Sequence, residues 1–141
     1  MNDILTPVLA EHLSRQLSEF AASYDELSSR ERIVRLVEIQ RSVRNLGKRL
    51  SKDFKGPRQS ARSRILTYFK AHSGLVIEGD ELAIVAGISE YARRIRELRA
   101  EGWNIVAGTD TNKQRPQKLK PDQYLYVPKK RQKFRASGIQ R

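Results

Sequence analysis

Cysteine is missing from the chain, which removes disulfides and thiolate metal sites from consideration. Histidine is scarce as well. His12 and His72 lie far apart, and neither sits in an HExxH-like spacing or beside a second ligand type. A helix-end or surface role fits both better than a catalytic one. No apolar run approaches the roughly 18 residues that a membrane helix needs. The first residues lack a positive segment followed by a signal-like apolar stretch. No membrane partner and no cofactor are therefore expected, and a cytoplasmic, nucleoid-associated location is the default. Acidic residues are also in short supply: 16 Asp plus Glu face 28 Lys plus Arg, for a formal charge of +12. Such an excess favours a polyanionic partner and says nothing about fold.

The hydrophobic content of 38% over 141 residues supports a modest core, enough for one small domain with a helical extension. Charge is uneven along the chain. Residues 1–60 hold 11 basic and 8 acidic side chains, whereas residues 61–141 hold 17 and 8. The surplus belongs to the second part.

In the first part, Leu5, Leu9, Leu13, Leu17 and Phe20 repeat at helical spacing, with Pro7 tolerable near the helix start. Ala21 to Asp25 carries the turn. Ser28 or Ser29 caps a second helix, with Glu31 in its first turn. Ile33, Leu36, Val37, Gln40, Val43, Leu46 and Leu50 mark its apolar face, and Arg32, Arg35, Arg41, Arg44, Lys48 and Arg49 its other side. These helices form an antiparallel hairpin over residues 1–55. The hairpin packs either on the rest of the chain or on a second copy, giving a homodimer. Gly56-Pro57 marks a linker.

From Ser60 the pattern changes. Ser60 caps a helix over 61–71, with Ile65, Leu66 and Phe69 inward and Arg62 and Arg64 free for solvent or phosphate. Leu75 to Ile77 reads as a short strand. Asp80 caps a short helix to Ala86, and Gly87 ends it in the left-handed conformation that glycine tolerates. Ser89 caps the next helix. Helix, tight turn and helix is the arrangement that places a second helix in a DNA major groove. On that helix Ile88, Ala92, Ile95 and Leu98 meet the core. Arg93 and Arg94, near its start, are the candidate base-reading residues, since an arginine fork matches guanine O6 and N7. Glu90 lies on the same outer side. Arg96 and Arg99 are candidate phosphate contacts. Ser89 and Tyr91 have a capping and a packing alternative. Glu90–Arg94 and Arg93–Glu97 also have ordinary salt-bridge spacing.

Trp103 to Ala107 and Gln123 to Val127 read as strands flanking a basic wing loop with Lys113, Arg115, Lys118 and Lys120. Residues 128–141 form a basic tail with Lys129, Lys130 and Arg131, suited to phosphate without sequence selectivity or to linking a downstream domain. The fold class expected is mainly α with a small β wing: a winged helix-turn-helix over 60–127, preceded by the hairpin and followed by the tail.

The segment Ile65 to Ile105, above all SEYARRIRELR from Ser89 and EGWNI from Glu101, resembles a winged-helix DNA-recognition domain of bacterial or phage HNH-type restriction nucleases. LKPDQYL from Leu119 resembles its return strand. The resemblance covers about residues 61–127. It implies target-DNA recognition with Arg93 and Arg94 on the reading helix, and a nuclease domain as partner. It carries no catalytic residues onto this chain. His12 and His72 build no His-Asn-His constellation, and Asp110, Asp122 and Lys120 do not make a PD-(D/E)xK-like set. The leading expectation is a non-catalytic, sequence-specific double-stranded-DNA-binding module of a restriction or mobile-element nuclease. The alternatives are a homodimeric transcriptional repressor and a protein–protein adaptor.

Overall fold

The computed structural model describes residues 3–54, 60–87, 90–110 and 118–129. In chain order they form α1 (Leu5–Ser23), a 3-10 turn (Tyr24–Glu26), α2 (Ser29–Ser51), α3 (Ala61–Ala71), β1 (Val76–Glu78), α4 (Gly79–Ala86), α5 (Tyr91–Ala100), β2 (Ile105–Ala107) and β3 (Gln123–Tyr126). The fold is mainly helical, with an open three-stranded antiparallel sheet of order β1-β3-β2. Val76 and Val106 both pair with Leu125, so β3 is the shared strand. The expected class holds.

α1 and α2 form the antiparallel hairpin. α1 runs three residues past Phe20, because Ala21, Ala22 and a Ser23 that bonds back to the Glu19 carbonyl at 2.7 Å continue the helix. Ser28 opens α2 with a capping box. Its hydroxyl accepts from the Glu31 amide at 3.2 Å, and the Glu31 carboxylate accepts from the Ser28 amide at 3.0 Å. The seam between the helices differs from the expected face of α2. Ile39 is the buried hydrophobic residue there, while Ile33, Leu36, Val37, Val43 and Leu50 are exposed. Arginine stems complete the seam in place of aliphatic side chains. Arg32 donates to the Tyr24 carbonyl at 2.9 Å and lies 3.9 Å from the Tyr24 ring centroid. Arg49 reaches Asp3 at 2.9 Å.

The main core lies in the second part. Ile65 and Phe69 of α3, Ile77 of β1, Leu82 and Ala86 of α4, Ile95 and Leu98 of α5, Ile105 of β2 and Tyr126 of β3 form one cluster. Each large side chain buried there contributes about 1.5–3 kcal/mol before entropy is counted. α3 starts at Ala61 because the Ser60 hydroxyl accepts from the Ser63 amide at 3.1 Å. α4 starts one residue before Asp80. Glu78 is its cap, with the Glu78 amide 3.4 Å from the Glu81 carboxylate, so Asp80 sits inside the first turn. Gly87 ends α4 with φ +69°, as its position predicts. The end of α2 packs on α4: a Cβ on Gly47 would lie 3.9 Å from Ile84, and one on Gly87 3.3 Å from the Ser51 hydroxyl.

Candidate nucleic-acid interface

α5 turns Ile95 and Leu98 into the core, which fixes the side it shows to solvent. Arg93 and Arg96 lie on that outer side, with Glu90 exposed at its N-cap. The Arg93 side chain is 63% exposed and lies 3.5 Å from Glu97. Arg94, on the flank, is held more firmly: one guanidinium nitrogen donates to both Glu97 oxygens at 2.8 and 3.0 Å. The Arg94 hydrogen bonds, and the charges of Arg94, Arg93 and Arg62 around it, hold the Glu97 carboxyl below its ordinary pKa. Arg96 forms no ion pair among the described residues.

Three other arginines expected to meet phosphate are engaged within the fold. Arg64 donates to the Val85 and Ala86 carbonyls at 3.0 and 2.6 Å. Those are orphan acceptors at the end of α4, so Arg64 caps the first helix of the helix-turn-helix. Arg62 is ion-paired with Glu101 at the end of α5. Arg99 donates to both oxygens of Asp110 at 3.0 Å, and Asp110 also accepts from the Ala107 amide at 2.8 Å. One carboxylate thereby joins α5 to the base of the wing. Sequence reasoning missed Asp110 in this role. The only local hint is an acidic residue three positions beyond the end of a strand.

Tyr91 belongs to packing. Its hydroxyl occupies the space a Cβ would need at Gly79, and its ring meets Tyr124 edge-on at 6.4 Å. Burial raises the Tyr124 pKa, and the positive charges of Arg99 and Arg96 oppose that shift. At the wing, Gly108 meets backbone directly: a Cβ there would overlap the Lys120 carbonyl just ahead of β3. The Gly108 amide donates to the Gln123 carbonyl at 2.9 Å, and the Lys120 amide to the Gln123 side chain at 2.9 Å. Lys118 and Lys120 are exposed at this base, and Lys129 is exposed beyond the opposite end of β3. Ser89, Lys113, Arg115, Lys130 and Arg131 lie outside the described residues. Trp103 is a packing residue, 6.4 Å from Tyr126 and with the Lys70 ammonium 4.5 Å from its ring centroid.

Among the described residues no group of three or more His, Asp or Glu could hold a metal ion, and no helix is long and apolar enough to cross a membrane. His72 closes α3, its Nδ1 2.8 Å from the Tyr68 carbonyl. His12 lines a cavity of about 510 Å³ between α1 and α2.

A short helix, a glycine turn, a second helix with an arginine-bearing outer side and a small sheet beside it define a winged-helix-like domain. Residues 62–127 match the family described as the KpnI N-terminal domain, a restriction-enzyme-associated domain. The match runs from the first turn of α3 to the end of β3 and leaves the hairpin outside. Neither curated proteins nor solved structures gave a match.

Proposed function

We propose that residues 60–127 read double-stranded DNA for a restriction or mobile-element nuclease, with cleavage supplied by a separate nuclease domain. The observation that carries this reading is the outer side of α5. It presents Arg93 and Arg96 on a helix whose orientation is fixed by Ile95 and Leu98 within, by Arg64 at the preceding turn and by the Arg99–Asp110 pair at the wing. A rigid helix with two adjacent outward arginines suits guanine edges in a major groove. Arg96 replaces Arg94 beside Arg93 as the proposed base reader, because both Glu97 oxygens hold one terminal nitrogen of Arg94. Arg62, Arg64 and Arg99 hold the scaffold instead of touching phosphate. Lys118, Lys120 and Lys129, with the basic residues beyond them, supply the sequence-independent attraction. The similarity to the KpnI N-terminal domain favours a restriction setting over a repressor.

Selection from a randomised duplex library at controlled salt tests the reading. A recovered motif is expected, and an unenriched library would remove sequence-specific duplex recognition. A cleavage assay with the intact gene product separates the restriction setting from repression: cleavage supports the former, and operator binding without cleavage the latter.

A further inference from the structure

We infer that a basic stripe on α2 holds the phosphate backbone of duplex DNA beside the site that α5 reads. Arg41, Arg44, Lys48 and Lys52 follow one another at three- and four-residue spacing, and all four are exposed. Residues 39–52 hold five Lys or Arg and no acidic residue. The fifth, Arg49, is paired with Asp3. All 16 acidic side chains of the chain lie within the described residues. None of them forms an ion pair with the four. The stretches outside the described residues contain no Asp or Glu, so no acidic side chain of this chain neutralises the stripe.

The first half of α2 is built differently. Arg32 donates to the Tyr24 carbonyl, and Arg35 lies 3.9 Å from Glu38, the mixed pattern of a solvated helix face. In the second half Arg41–Arg44, Arg44–Lys48 and Lys48–Lys52 are like-charge neighbours at spacings that weaken a helix. The helix dipole favours cations in the last turn and accounts for Lys48 and Lys52. Arg41 and Arg44 lie more than a turn before the end at Ser51, beyond its reach. A row of phosphates relieves the repulsion along the whole stripe. The stripe also has a place in the fold. Ile39 faces α1, and Lys48 lies about two and a half turns further on, so the stripe points away from α1. Arg44 and Lys48 border α4 along a groove whose other wall is Ala83, Ile84 and Gly87. Gly87 closes α4 ahead of α5. In a helix-turn-helix the first helix crosses the backbone while the second enters the groove. The stripe flanks that first helix. Its length of roughly 16 Å from Arg41 to Lys52 matches the rise of about five base pairs. The choice of duplex DNA as ligand rests on the reading of residues 60–127 given above, whereas the stripe lies outside the KpnI N-terminal match.

The test compares Arg44→Gln with Lys48→Gln against Arg15→Gln with Arg35→Gln, which removes the same charge elsewhere on the hairpin. Far-UV circular dichroism checks each fold, and Arg41→Gln with Lys52→Gln repeats the test on different side chains. The full chain is titrated with a long mixed-sequence duplex at several salt concentrations. The slope of log affinity against log salt should flatten by about 1.8 in each stripe variant, about 0.9 for each phosphate released. It should flatten less in the control. The stripe variants should melt no lower than the parent, because they lose like-charge neighbours. On a duplex carrying a selected motif, trimming one flank by about five base pairs should weaken the parent and leave the stripe variants unchanged. Equal slopes in parent and stripe variants, an equal flattening in the control, or a parent that binds no duplex would overturn the inference. The two readings fail separately. An unenriched library with the slope flattened removes base reading by α5 and keeps the stripe, and an enriched motif with an unchanged slope does the reverse.

Discussion

Glu97 decides which arginines of α5 are free to act. Its carboxylate takes both hydrogen bonds from Arg94 and draws on Arg93, leaving Arg96 as the outward cation with no such tie among the described residues. Arg96→Ala and Arg93→Ala should each remove about 1–3 kcal/mol of discrimination at one base pair. Arg94→Ala should leave base preference unchanged and lower helix stability only slightly, since the pair is solvent-screened. Competition binding against single-site variants of a selected duplex separates these outcomes. Loss of preference in Arg94→Ala alone would sink the Arg96 assignment. Glu97→Gln should do the opposite of an arginine deletion, raising affinity for all sequences by freeing Arg94. The pair also has a pH signature. The Glu97 carboxyl titrates below its ordinary value of 4.5, so the pair's contribution to the folded state is in place above that value. It is lost as pH falls through the lowered folded value. An NMR titration of the Glu97 carboxyl carbon should show the depressed midpoint, and Arg94→Ala should move it back up.

At the scale of elements, two backbone contacts set the helix pair α4–α5 and the wing. Arg64→Ala leaves the α4 carbonyls of Val85 and Ala86 without their charged donor and should cost about 1.5–3 kcal/mol in urea unfolding. A cost near zero would mean that solvent replaces the cap. Gly108→Ala should be at least as harmful locally, since a methyl would overlap the Lys120 carbonyl and push β2 from β3. Amide exchange at Gln123 to Tyr126 should quicken while α3 stays protected. Much of this architecture is legible in the chain. Ser60, Ser28 with Glu31, and Gly87 act locally, through hydrogen bonds or dihedral angles that span a few residues, so residue type and spacing reveal them. The helix-turn-helix and its strands follow from such signals. Arg64, Arg62 and Arg99 are not legible as scaffold residues, because their partners lie on other elements and a free and a paired arginine look alike in sequence. The seam face of α2 is hidden for a related reason. The helix carries two apolar stripes, and the one that meets α1 relies on arginine stems, which a count of aliphatic residues overlooks.

For the molecule as a whole, charge and shape divide the work between attraction and selection. The net charge of +12 suits a polyanionic partner, and most of the arginines near α5 are ion-paired within the fold, where they add rigidity. On the proposed reading, exposed lysines supply the sequence-independent attraction to a duplex. Lys118 and Lys120 at the wing base and Lys129 beyond the far end of β3 are described members of that set. Replacing all three with Gln should weaken cognate and scrambled duplexes by similar factors. It should also flatten the plot of log affinity against log salt by about 0.9 for each phosphate that the variant no longer neutralises. The base preference should survive, because α5 keeps its orientation through Ile95, Leu98 and the Arg99–Asp110 pair. Asp110→Asn gives the complementary result. It leaves the number of exposed lysines unchanged but loosens α5 from the wing, so the preference among sequences should narrow and Arg99 should become available to phosphate, steepening the salt slope. Titrations at four or more salt concentrations, with cognate and scrambled duplexes in parallel, read both quantities at once. If the lysine variant loses preference while Asp110→Asn keeps it, recognition lies in the wing and the assignment to α5 fails.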